Sequence, residues 1–286
     1  MVAALALLAG VAAQPAATAT PTAEAILDRS RLTVVRTSSL QARIVERVDF
    51  GGRRYEAAGD YVAGAYPQLR LRLEIPAGDL RARLLEICDG EVLWTIREIA
   101  ATQPAENEEP SPERIVLRRD VDRIQSALRD PVTAEQIMIA ELGLGGLPAL
   151  LAGLQSNFDC TLTGVTPASY EIEGSWKQDR LAAIGIDPER VPDTLPDLVM
   201  ISIERKTLIP TRIAYLKRSG QDDTESTRPM LMVELREVRI GDALSHDVFS
   251  YKPPQGANVE DVTKQTLDRL DATRAASAPA LRSEPR

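Results

Sequence analysis

The chain has one histidine, His246, and two cysteines, Cys88 and Cys160, in 286 residues. A lone imidazole and thiols 72 positions apart build no zinc site of ordinary ligand spacing. His246 falls in a polar stretch between strand-like runs, where solvent exposure is expected rather than catalysis. No Gly-x-Ser-x-Gly elbow occurs. The glycines of Leu142 to Gly146 are not followed by Gly-Lys-Ser/Thr, nor do they open a long helix as Gly-x-Gly-x-x-Gly. The acidic pairs Glu108-Glu109, Asp222-Asp223 and Asp193 with Asp197 lie in Pro- or Ser/Thr-rich stretches. Neither glycosidase geometry nor calcium-loop spacing can be read from them, so they are solvated loops. No enzyme, metal site or cofactor is expected.

Positive charge is also short. Lys and Arg number 34 against 42 Asp and Glu, a net charge of -8 with a pI near 5.0. The arginines alternate with carboxylates instead of clustering, which excludes a phosphate-backbone binder and makes them a solvated strand face. No apolar run is long and unbroken enough for a membrane helix, which needs about 20 residues. Val2 to Ala13 has the length of a signal-peptide core and is followed by small residues suited to cleavage. Residues 1–19 are therefore expected to be an export signal, with no cysteine nearby to carry a lipid. A soluble protein of the periplasm or cell envelope follows. Cys88 and Cys160 suit an oxidising compartment without requiring a bridge.

With 44% hydrophobic and 27% charged residues, the chain can bury a substantial core. Its most informative stretch is Tyr55 to Ile99, which reads as an antiparallel meander. Leu69, Leu71, Leu73 and Ile75 alternate with Arg70, Arg72 and Glu74, the period of a strand with one buried face. Turns are signalled at Tyr66-Pro67-Gln68, Pro76-Ala77-Gly78-Asp79 and Asp89-Gly90. Gly59, inside a strand, signals a bend or a close approach by another element. A meander that bends repeatedly tends to curl.

Around it, Thr22 caps a helix through Val35, with Ala25, Ile26, Arg29, Leu32 and Val35 on its mostly apolar side. Leu40, Ala42, Ile44, Val48 and Phe50 form a first strand, interrupted on the same face by Glu46. Thr102 to Pro112 is a polar loop, and Arg118 to Leu128 an amphipathic helix. Thr133 opens a far more apolar stretch, in which the 18 residues from Ile137 to Leu154 carry one charge, Glu141. Gly143, Gly145, Gly146 and Pro148 break that run into two short helices, a hydrophobic plug rather than a membrane span. Strands resume at Phe158 to Val165, Tyr170 to Trp176, Val199 to Ile203, Arg212 to Leu216 and Met230 to Ile240. Trp94 and Trp176 fall on alternating strands, where core packing is expected ahead of sugar stacking. Val259 to Leu270 is expected to be helical and Ala275 to Arg286 disordered.

Three places resemble one family. Gly59-Asp60-Tyr61 through Pro67 to Asp89-Gly90-Glu91-Val92-Leu93-Trp94 is similar to its Gly-Asp strand, proline turn and Asp-Gly-x-x-Leu-Trp hairpin. Lys206 to Ile213 is similar to its turn into a late strand, and Phe249 to Val259 to its closing Phe-x-Phe-x-Pro-Pro-x-Gly segment. The family is that of the periplasmic outer-membrane lipoprotein carriers, the LolA-like proteins, which share a fold with the LolB receptor and the RseB sensor. The resemblance implies an α+β domain over residues 20–262, followed by a partly disordered tail over 263–286. That domain is an incomplete antiparallel β-barrel, a curved half-barrel sheet covered by short helices acting as a lid or plug. It further implies a cavity for the acyl chains of a lipid or lipid-modified protein, with a membrane protein of the envelope as a further partner and a monomer as the working unit. An RseB-like sensor or scaffold that binds a protein is the alternative.

Alternation assigns Leu69, Leu71, Leu73, Leu85, Ile87 and Trp94 to the cavity wall. Helical spacing assigns Leu147, Leu150, Leu151 and Leu154 to the lid. The chain departs from the carriers in two respects: they place an arginine before the proline of the second turn to hold the lid closed, and Tyr66 stands there here, and the Thr102 to Asp130 insertion makes this chain longer than a typical carrier.

Overall fold

A computed structural model describes residues 20–50, 52–101, 113–126, 146–183, 185–219 and 226–268. The expected export signal, the polar loop over 102–112, the first half of the apolar plug, the acidic pairs at 108–109 and 222–223 and the C-terminal tail beyond residue 268 lie outside them. So does the side chain of His246.

The chain enters as helix α1 (Ala23–Arg36), capped by the Thr22 hydroxyl, which accepts from the Ala25 amide at 3.2 Å. Its buried face is Ala23, Ile26, Leu27, Ser30 and Val34, while Leu32 is exposed. The expected face is thereby rotated: Ile26 is the one member of the expected set that is buried. Docking against other elements, not propensity, decides which stripe is covered.

Twelve strands follow in one sheet. These are β1 (Leu40–Phe50), β2 (Arg53–Ala63), β3 (Leu69–Ala77), β4 (Leu80–Cys88), β5 (Val92–Ala101) and β6 (Glu113–Asp120) in the first half. The second half holds β7 (Phe158–Val165), β8 (Ser169–Trp176), β9 (Leu198–Glu204), β10 (Pro210–Ser219), β11 (Ser226–Ile240) and β12 (Val259–Asp261). Their spatial order is β12-β6-β5-β4-β3-β2-β1-β11-β10-β9-β8-β7. Every pair is antiparallel except β12 with β6, and the sheet does not close, so the fold is an open half-barrel of the α+β class. Between the strands run α2 (Val121–Ser126), α3 (Gly146–Asn157), α4 (Gln178–Ala183) and a 3-10 turn (His246–Phe249).

The meander has the expected turns. Asp89 accepts through Oδ1 from the amides of Glu91 and Val92, and Gly90 takes φ +111. The Tyr66–Pro67 bond is cis. Gly59 answers its signal: a Cβ there would stand 1.7 Å from the Arg72 carbonyl oxygen, so β2 and β3 approach too closely for any side chain.

Three expectations need correction. Residues 113–120 are a strand, with the helix starting only at Val121. Ile115-Val116-Leu117 is a short β-branched run hidden among charges, and Val116 is paired with Ile96 and 2% exposed. Residues 259–261 are strand rather than helix, because they pair with β6, and helix begins at 263. β11 starts at Ser226 instead of Met230.

Direct pairing assigns the faces. Leu69 faces Cys88 and Cys88 faces Leu93; Ala42 faces Tyr61 and Tyr61 faces Leu71; Val233 faces Ile213, and Ile213 faces Ile201. This concave side carries two adjoining cores. One gathers Leu40, Leu69, Leu73, Cys88, Leu93 and Ile124 with Leu147 of α3. The other gathers Ile26 and Leu27 of α1, Leu151 and Leu154 of α3, and Phe158, Ile172, Val199 and Ile201. The convex side carries an ion-pair ladder: Arg47 with Glu56 at 2.8 Å and Glu234 at 3.3 Å, and Glu98 between Arg83 at 3.3 Å and Arg114 at 2.6 Å. Arg72–Glu74 and Arg236–Glu234 extend it. Such exposed pairs stabilise little individually and keep the convex face wet.

Candidate ligand cavity

Between the concave sheet and α3 lies a cavity of about 720 Å³. Its floor is the inward set of β1 and its neighbours, Ile44 and Val48 on β1, Leu71 on β3, and Leu231, Val233 and Leu235 on β11. Leu147 and Leu150 of α3 form its roof, and Phe158, Trp176 and Tyr215 one side.

Tyr61 sets the height of the roof. It is 3% exposed, and its hydroxyl accepts from the Leu147 amide at 3.3 Å. Burial pushes the phenol up to about 12, against the smaller opposing effect of that hydrogen bond, so it stays neutral. Helix α3 starts at Gly146, at φ +50, where a Cβ would lie 2.6 Å from the Tyr61 oxygen. Only glycine permits both the left-handed backbone and this contact.

A second cover lies over 191–197. Lys217, 6% exposed, donates from Nζ to the carbonyls of Val191 and Pro192, each at 3.0 Å, and to Asp197 Oδ1 at 2.9 Å. The Trp176 indole donates to the Pro196 carbonyl at 2.8 Å, and the Asp197 amide to the Leu216 carbonyl at 2.7 Å. Thr194, Leu195 and Pro196 consequently close part of the cavity wall.

Two carboxylates interrupt the apolar lining. Asp49, at the end of β1, accepts from Arg54 at 3.0 Å. Glu46 shares the inward face with Ile44 and Val48, and burial raises its carboxyl above the ordinary carboxylate range. Among the described residues no donor or cation contacts it.

The expected site residues divide into three groups. Leu71, Leu147 and Leu150 line the cavity. Leu69 and Leu73 share Leu71's face but are packed into the adjoining core, as are Leu151 and Leu154 on α3. Leu85, Ile87 and Trp94 are on the opposite face, a correction to the expected wall. Leu85 pairs with Arg72 and Ile87 with both Arg70 and Trp94, so the alternation that turns Leu71 inward turns these three outward. Ile87 is nonetheless 2% exposed, because residues 246–251 cover that part of the convex face. Trp94 meets the Tyr251 ring at 5.4 Å, and Arg70 donates to the Val248 carbonyl. Residues not assigned to the wall beforehand are Glu46, Tyr61, Trp176, Tyr215, the 194–196 segment and the inward set of β11. The alternation of Leu231, Val233 and Leu235 was the available signal for the last of these.

Both cysteines are free thiols, one in each core, and burial pushes each up to about 11, which leaves them unreactive. Among the described residues no cluster of His, Cys, Asp and Glu could hold a metal ion, and no helix is long and apolar enough to cross a membrane.

No family model matches the chain, and no curated protein matches it. Among solved structures it is similar to MucB, at 14% identity over 80% of this chain and 62% of that one, with a TM-score of 0.40. It is also similar to LprF from Mycobacterium bovis, at 12% identity over 77% and 93% with a TM-score of 0.33. A LolA superfamily protein from Nitrosomonas europaea aligns at 11% identity over 81% and 99% with a TM-score of 0.29. The chain thus spans less than two thirds of MucB, and MucB has also been solved in complex with MucA(peri). The LolA-like proteins whose motifs the sequence resembles are among these neighbours, while the half-barrel itself stands on the strand register.

Proposed function

We propose that this is an exported, non-enzymatic carrier that shelters the acyl chains of a lipid or lipid-modified protein in the cavity beneath α3. The observation that carries the reading is the cavity itself: about 720 Å³, within the size range of small-molecule sites, and lined largely by aliphatic and aromatic side chains. A filled core would leave nothing to bind. A chain of about sixteen methylenes gains roughly 13 kcal/mol gross from burial. After an association cost of about 5 kcal/mol, roughly micromolar binding remains. No catalytic group is needed, since transfer of an acyl chain from water to hydrocarbon is favourable in itself.

Native mass spectrometry of protein purified from the cell envelope, together with uptake of a fluorescent acyl probe, tests this. Bound lipid or acylated peptide is expected; finding neither, with no probe uptake, removes the reading. A protein-binding sensor or scaffold is the second reading, and one observation favours it. β7 ends the sheet with no strand beside it among the described residues, an edge on which an extended segment of a partner could pair.

A further inference from the structure

Shelter of an acyl chain does not account for a carboxylate in the cavity. Glu46 lies between Ile44, which is 6% exposed, and Val48, which is 36% exposed. It therefore sits two residues, or about 7 Å of strand, inside the open end. Its cross-strand neighbours are Ala57 on β2 and Val233 on β11, and neither offers a side-chain donor. Of the other ionisable groups on the lining, Asp49 is bound to Arg54, Tyr61 receives the Leu147 amide, and Tyr215 is a half-buried phenol. Lys, Arg and His are absent from the described lining residues. An acidic group left unpaired in apolar surroundings carries a desolvation cost that a cationic partner offsets.

We infer that the cavity selects aliphatic ligands bearing a single cationic amine, with the chain against Ile44, Leu71 and Leu147 and the ammonium on Glu46. The inference rests on the acyl-chain reading and narrows it to one headgroup class. Fatty acids, which would set a second carboxylate beside Glu46, are disfavoured by the same geometry.

The test uses the mature full-length chain and three probes with one tail, dodecylamine, dodecanol and dodecanoate, each displacing a neutral fluorescent acyl probe at pH 7.5. In the wild type, dodecylamine displaces at a concentration at least about tenfold below that of dodecanoate, with dodecanol between them. In Glu46→Gln the amine loses about tenfold and dodecanol is unchanged. Glu46→Leu, apolar like its neighbours, repeats the loss if the glutamine variant folds poorly, and Asp49→Asn keeps the wild-type order. Equal displacement by amine and acid, or an amine preference that survives both Glu46 variants, overturns the inference while leaving the acyl cavity standing. Failure of all three probes, dodecanol included, removes the acyl cavity and the inference with it.

Discussion

Replacing Lys217 by methionine isolates the clasp that closes the cavity over 191–197. The stem keeps its volume, but the Nζ bonds to Val191, Pro192 and Asp197 are lost together. Breaking a buried ion pair by removing one partner costs about 3–5 kcal/mol when the other charge stays buried. Two features reduce that figure here. Asp197 keeps its second oxygen on the Arg218 amide at 2.8 Å, and its side chain is 16% exposed, so water reaches it once the segment loosens. The two carbonyls belong to the same segment and are rehydrated by the same opening. The global loss is therefore about 2–3 kcal/mol, which for a chain of this size lowers Tm by roughly 5–10 °C.

Most of the effect is local, and the assay has to see that. Hydrogen exchange by mass spectrometry should show protection falling at Leu195 and Asp197, whose amides donate to Pro192 and Leu216. The β1 and β11 amides should change only by the global term. A bound acyl probe should dissociate faster in the same variant. A Tm within about 2 °C of wild type, with Leu195 and Asp197 still protected, would refute the clasp.

Other perturbations read different parts of the molecule. Gly59→Ala drives a Cβ to within 1.7 Å of the Arg72 carbonyl, so β2 and β3 must part, and urea denaturation should show a loss of about 3 kcal/mol or more. Leu71→Glu places a further carboxylate on the cavity floor and should abolish acyl uptake. Ile87→Glu, buried on the other face, should lower stability yet leave uptake per folded molecule intact, and equal loss of uptake in both would contradict the face assignment. Glu46 has its folded-state carboxyl raised by burial, so its stabilising share belongs to the protonated form and is lost as pH rises through the raised value. Glu46→Gln should therefore melt higher than wild type at pH 7, with the gap closing below about pH 4; a gap that is constant with pH would show that the carboxyl is not desolvated.

Local period and turn chemistry made much of this fold readable. The strands of the meander, the Asp89-Gly90 turn and the close approach at Gly59 are all encoded within a few residues, and the structure places them as the sequence reads. What the sequence hid was which of two apolar faces points inward. β4 carries Leu84 and Cys88 on one side and Leu85 and Ile87 on the other, and both sets are at least partly buried. A period of two cannot choose between them. The choice is made by residues 246–251, more than 150 positions downstream, which cover the convex side and allow it apolar side chains. Pairing with β5 and β12 made 113–120 a strand, and docking against α3 and β7 rotated the buried face of α1. Glu46 was visible as an interruption in an apolar alternation, but only the cavity gives that interruption a chemical meaning.

Tyr66, before the second-turn proline, packs against the concave core. The covers of the cavity are attached at two other points. Tyr61 holds the start of α3 through one hydrogen bond to a glycine-initiated helix, an attachment worth about 1 kcal/mol. Lys217 holds 191–197 through three, from the other half of the sheet. Leu151 and Leu154 of α3 are at most 1% exposed in the second core, so a ligand that lifts the roof works against that packing as well as the Tyr61 bond, whereas loosening of 191–197 requires the Lys217 clasp to break.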